Sequence, residues 1–136
     1  MKRHKMEQIK NSEFKFLGYR ISKIECIIED NFGVMSEKIN HKINIINNFD
    51  SKNSRFVEVV LDISVKTESN SFNFFLQIKG GFEGNSEMDD ILFKKLSQQN
   101  APAILFPFAR SIITSYTAQA NIPPIILPAL NFSQSN

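Results

Sequence analysis

The feature that most constrains this chain is a stretch of alternation. Over residues 56–66, Val57, Val59, Leu61, Ile63 and Val65 fall on one side of an extended backbone, and Glu58, Asp62, Ser64 and Lys66 on the other. Successive side chains of a strand point to opposite faces, so this segment reads as a strand in a sheet with one covered and one wetter face. Residues 67–71 have hairpin-turn composition. The pattern then repeats over 72–79, with Phe72, Phe74, Leu76 and Ile78 on one face and Asn73, Phe75, Gln77 and Lys79 on the other. Gly80-Gly81 is expected to end this strand, because paired glycines weaken strand structure.

Two further strands are expected upstream. Phe14, Phe16, Tyr19, Ile21, Ile24 and Ile28 recur with imperfect alternation over 14–28, and Ile39, Ile43, Ile45 and Ile46 over 38–49. Turn signals follow each, at 29–33 and at 50–54. Downstream the period changes. Residues 87–98 read as a short amphipathic helix, which Asn100-Ala101-Pro102 is expected to break, with Asn100 as the cap of a second helix over 103–120. Leu105, Phe108, Ile112 and Tyr116 form the apolar stripe expected on that helix. In residues 121–132, Pro123, Pro124 and Pro128 forbid a regular helix or central strand, while Ile122, Ile125, Ile126, Leu127, Leu130 and Phe132 make the segment very apolar. An extended strip laid against the domain or another subunit is expected. Four strands followed by helices give an α+β fold: a four-stranded antiparallel sheet, then a short and a long helix. The expected organisation is a flexible tail over 1–12 and one domain over 13–136.

Composition narrows the function classes. The chain is 42% hydrophobic and 22% charged, which suits a folded domain. It holds 13 phenylalanines and no tryptophan, implying a very aromatic core or apolar surface kept for a partner. A net charge of +2 is too mild to argue for nucleic acid, and the basic run Lys2-Arg3-His4-Lys5 reads as a solvated tail. One cysteine, Cys26, excludes a disulfide framework within the chain and reads as a small hydrophobe in a strand. No secretory h-region or membrane-length apolar run is visible, so a cytoplasmic protein without membrane insertion is expected. His4 and His41 have no metal-ligand spacing, and Gly80-Gly81 with Gly84 lacks the lysine and context of a phosphate loop. Glu29-Asp30 and Asp89-Asp90 sit where loops and helix starts favour acids. No enzyme activity, cofactor or metal is expected.

The C-terminal block carries a family resemblance. Asn100-Ala101-Pro102-Ala103-Ile104-Leu105-Phe106-Pro107-Phe108-Ala109-Arg110, followed by Ile113-Thr114-Ser115, resembles the main-helix signature of the SecB family, with Phe108 where that signature has tyrosine. The run from Ile122 to Phe132 and the glycine pair before Phe82 are also similar to that family. The resemblance implies a homotetramer, a dimer of dimers, that holds unfolded polypeptides such as preproteins in long apolar grooves without ATP. Apolar residues outside the clean core stripes are the expected groove members: Phe16, Phe49, Phe56, Val60, Phe106, Ile125, Leu127 and Phe132.

Export members pass clients to the SecA motor through sheet carboxylates and a C-terminal helix and tail. Glu25 and Glu29 are the candidate docking carboxylates here, while Leu76 and Gln77 stand where the fourth strand would carry an acid. The sequence ends at Asn136, so the final helix and tail are expected to be absent. Two alternatives stay open: a chaperone dedicated to one partner such as an antitoxin, and an α+β domain holding a small apolar ligand.

Overall fold

The computed structural model describes residues 13–132. The expected tail over 1–12, with its basic run, lies outside the described residues. Four strands, β1 (Phe14–Ile28), β2 (Ile39–Phe49), β3 (Phe56–Thr67) and β4 (Phe72–Gly84), form one antiparallel sheet in the order β1-β4-β3-β2. The tight connections join β2 to β3 and β3 to β4. Asp50 Oδ1 accepts the Lys52 amide at 2.8 Å in the first turn. In the second, Asn70 takes a left-handed conformation and Phe72 N donates to Thr67 Oγ1 at 3.1 Å. The side-chain oxygens thus replace ladder partners where the chain reverses.

The imperfect alternation of β1 has a structural cause. Its register against β4 slips between Phe16 and Gly18 and again between Ile21 and Lys23. Each bulge adds one residue. Phe14, Phe16, Tyr19, Ile21, Ile24, Cys26 and Ile28 therefore share one face, opposite Gly84, Phe82, Gly80, Ile78, Leu76, Phe74 and Phe72 of β4. Gly18 absorbs the first bulge at φ 113°, a region only glycine enters freely.

A helical run packs on this face. Helix α1 (Asp90–Lys95) starts at Asp89, whose carboxylate accepts the Leu92 amide. Arg55, from the β2–β3 turn, anchors the approach to α1. It donates Nε–H to the Met88 carbonyl at 2.9 Å and pairs with Asp90 at 2.7 Å. One π-turn (Leu96–Asn100) leads without a break into α2 (Ala101–Gln119). Two expectations are corrected here. Asn100 is helical and caps nothing, because Ala101 N donates to Leu96 O and carries the helix through. The stripe is also rotated. Leu105 is buried, but Phe108 and Tyr116 are exposed; the buried face is Leu105, Phe106, Ala109, Ile113 and Thr117. Apolar residues nearly encircle α2, so periodicity alone could not choose the face turned to the sheet.

The glycine pair is the third correction. β4 runs through Gly80-Gly81 to Gly84. A Cβ on Gly80 would lie 2.5 Å from Leu105 Cδ2, so the glycine lets α2 approach the sheet. The core is built from Val57, Val59, Leu61, Ile63 and Val65 of β3, the Phe72–Phe82 face of β4, and the buried face of α2. Helix α2 closes on Asn121 at φ 62°, with Asn121 N donating to Ala118 O and Ile122 N to Thr117 O. That is the two-bond left-handed helix terminator.

Candidate functional site

After Asn121 the chain runs extended across the domain, as the prolines require. Burial alternates along it: Ile125 and Leu127 are buried, while Ile126 between them is 73% exposed. Helix α2 holds this strip by its backbone. Thr114 Oγ1 donates to the Ile125 carbonyl at 2.8 Å, Ile125 N donates to Thr117 Oγ1 at 2.9 Å, and Arg110 Nε donates to the Leu127 carbonyl at 2.9 Å. Positions 110, 114 and 117 share a helix face, so three side chains replace the ladder a strip lacking regular structure cannot make. Phe106 meets Phe132 edge-on at 5.6 Å and Arg110 caps the Phe106 ring at 6.0 Å.

Two open troughs flank this assembly. One, of about 360 Å³, lies between β2 and the strip and is lined by Ile39, His41 and residues 123–128. The other, of about 370 Å³, lies between β1 and α2. Tyr19 and Ile21 form one wall and Phe108, Ile112 and Tyr116 the other. The rings touch across it: Tyr19 and Phe108 are 4.7 Å apart, and Phe16 and Phe108 5.7 Å. Phe108 is 38% and Tyr116 40% exposed, a high value for large aromatics on a helix that faces a sheet.

The residues expected to meet a partner do not converge. Phe106, Ile125, Leu127 and Phe132 are buried under or along the strip. Phe16 is half-buried between the Phe82 and Phe108 rings, and Phe49 is 44% exposed against Phe93 at the end of the sheet. Phe56 and Val60 lie on the opposite sheet face, Phe56 half-buried against Gly81 and Val60 buried. The troughs are also lined by Tyr19, Ile21, Phe108, Tyr116, Ile39 and Ile126, which were not among the expected groove members. Apolar residues on more than one side of α2 were the signal that the helix has a second apolar neighbour.

Titratable groups do not gather at either trough. No cluster of three or more His, Cys, Asp or Glu with metal-binding geometry occurs among the described residues. Burial pushes the Cys26 thiol up, keeping it protonated and apolar in character. Glu25 and Glu29 are exposed, and Glu25 pairs with Lys23 at 3.3 Å. No helix among the described residues is long and apolar enough to cross a membrane. The arrangement suits area-dependent capture of apolar side chains, which needs wide open surface rather than convergent polar groups.

The fold superposes on the Mycobacterium tuberculosis Rv1957 SecB-like chaperone, solved with a ChAD peptide from the Rv1956 HigA1 antitoxin. The TM-score is 0.72 at 9% identity, over 96% of this chain and 99% of that one. An uncharacterized protein of Methanocaldococcus jannaschii, MJ0357, is 31% identical over 93% of this chain and 84% of its own. The protein-export protein SecB of Anaplasma phagocytophilum is 36% identical over 56% of this chain, and that of Ehrlichia chaffeensis 32% over 61%. The match spans about half the length of these SecB proteins, 51% and 53%. A family model described as preprotein translocase subunit SecB matches residues 25–135, and the chain belongs to the SecB family.

Proposed function

We propose that the protein is an ATP-independent holdase of the cytoplasm, acting as a homotetramer that keeps unfolded polypeptides from aggregating. The observation that carries this reading is Ile126. It is presented outward at the lip of an apolar trough, on a strip whose backbone is fixed from behind by Arg110, Thr114 and Thr117. A rigid apolar lip loses little entropy on contact, so it can hold many sequences through area alone. Phe106, Ile125, Leu127 and Phe132 serve by seating the strip. The β1–α2 trough is assigned to self-association. β1 is a 15-residue edge strand, and its outward backbone groups lack a partner strand among the described residues. Long unprotected edges of this kind are covered in native proteins.

Family membership supports chaperoning rather than catalysis. A narrower reading, a chaperone dedicated to an antitoxin, is favoured by the antitoxin peptide held by the structurally similar mycobacterial protein. The test of holding activity is the light-scattering rise of a chemically denatured client diluted without nucleotide. Equimolar protein suppresses the rise; an unchanged trace refutes the proposal.

A further inference from the structure

The sheet face turned away from α2 is covered by no helix or strand among the described residues. The strand registers set its side chains in rows. Phe75 on β4 lies between Ser64 on β3 and Glu25 on β1, and Lys42 on β2 lies beyond Ser64. In the next row Lys66 lies between Asn40 and Asn73, with Ile27 at the far end. These residues line an open basin of about 320 Å³. Its apolar part is the Phe75 ring and Ile27, the latter 57% exposed.

The charges around this patch are unbalanced. Glu25 is matched by Lys23, whose ammonium also lies 5.7 Å from the centre of the Phe75 ring. Asp62, in the row between Phe75 and Lys79, accepts the Gln77 amide at 2.8 Å and keeps its negative charge, so Glu25 and Asp62 stand against Lys23, Lys42, Lys66, Arg20 and Lys79. Lys42 and Lys66 have no ion-pair partner among the described residues. Two rows away Arg20 stands directly opposite Lys79 across the β1–β4 ladder, and neither has an ion-pair partner among the described residues. Like charges directly opposite are unfavourable, so an arriving anion relieves repulsion as well as gaining attraction.

We propose that this face docks an acidic polypeptide segment bearing an aromatic or aliphatic side chain. The apolar side chain lies on Phe75 and Ile27, and the flanking carboxylates reach Lys42 and Lys66 on one side and Arg20 and Lys79 on the other. The site differs from the strip trough in chemistry and position. It selects for negative charge, and it lies on the other side of the sheet, so both are occupied together.

The test uses the assembled protein and a labelled, unstructured peptide of glutamates flanking a phenylalanine, read by fluorescence anisotropy. A counterpart with lysine in place of glutamate binds at least about tenfold more weakly, since each surface ion pair contributes modestly and several act together. K42E/K66E weakens the acidic peptide by about tenfold, and Phe75→Ala weakens it severalfold, while both variants keep full suppression of client aggregation. Equal binding of the two peptides overturns the proposal, as does binding unaffected by K42E/K66E. Displacement of the acidic peptide by stoichiometric unfolded client overturns it too, by placing the peptide in the trough. If K42E/K66E instead changes the assembly mass or abolishes sedimentation with anionic vesicles, leaving peptide binding intact, the face belongs to a second copy or a lipid surface and the proposal fails.

Discussion

The Asn47 side-chain amide donates to the Ser97 carbonyl at 2.6 Å, joining β2 to the π-turn. In that turn Ala101 N reaches Leu96 O, so the next residue would supply the Ser97 carbonyl. That residue is Pro102, which has no N–H. Asn47 supplies the donor that the proline lacks, and the helix passes a position where the sequence suggested a break.

Asn47→Ala removes this donor while Ser97 stays buried. An unsatisfied buried carbonyl costs about 1–3 kcal/mol. Urea unfolding of the variant is expected to show a loss in that range with an unchanged slope; no loss would show that the bond contributes nothing.

Gly80→Ala places a methyl 2.5 Å from Leu105 Cδ2. Overpacking of this kind costs about 1–3 kcal/mol. Pairing it with Leu105→Ala is expected to cost less than the two single changes summed, because the second removes the atoms that clash. Additive losses in a thermal-denaturation cycle would contradict the packing.

Thr117→Val leaves the buried Ile125 amide without its acceptor and Ile113 O without its extra donor. Amide exchange over residues 122–127 is expected to accelerate well beyond that over β3 and β4. Uniform acceleration across the molecule would mean the threonine stabilises the whole fold rather than the strip.

Assembly and holding separate by position. Phe108→Glu places a charge in the β1–α2 trough and is expected to lower the assembly mass in light scattering. Ile126→Glu, on an exposed side chain, is expected to leave mass and melting temperature unchanged and to raise severalfold the protein concentration needed to suppress client aggregation. Leu127→Glu, buried, is expected to unfold the strip or the domain. An Ile126→Glu protein that holds clients normally would remove the strip from the binding surface.

Glu37 clamps the β3–β4 turn, accepting from Ser69 N at 2.9 Å, Ser69 Oγ at 2.8 Å and Ser71 Oγ at 3.1 Å. The Ser69 hydroxyl and amide, with help from Ser71, hold its carboxyl below the usual glutamate range. The folded value is depressed relative to the unfolded one. Its stabilisation is therefore fully present above the ordinary glutamate value and is lost as the pH falls through the depressed one. Glu37→Gln is expected to flatten the acid limb of the stability profile and to leave the neutral-to-alkaline limb parallel to wild type. An acid limb of unchanged slope would refute the linkage.

Much of the framework was legible in the chain. Strict alternation in β3 and β4, turn residues between them, and prolines at 123, 124 and 128 determined two central strands, a hairpin and an extended strip. Each rests on a local rule of backbone sterics or side-chain direction that needs no distant partner. The six apolar positions of β1 were also visible, although their spacing of three at Phe16–Tyr19 and Ile21–Ile24 looked like disorder in the pattern until two bulges aligned them.

Only the tertiary structure decided which surfaces are spent in the core and which are left for partners. Leu127 and Ile126 are chemically alike neighbours, yet one is enclosed and the other exposed, because hydrogen bonds from Arg110, Thr114 and Thr117 set the rotation of the strip. Gly80 and Pro102 read locally as terminators. They became a close contact and a crossed π-turn because Leu105 and Asn47, distant in sequence, supplied the packing and the donor. Burial and hydrogen bonding between remote segments are properties of the folded assembly of elements, and no window of sequence contains both partners.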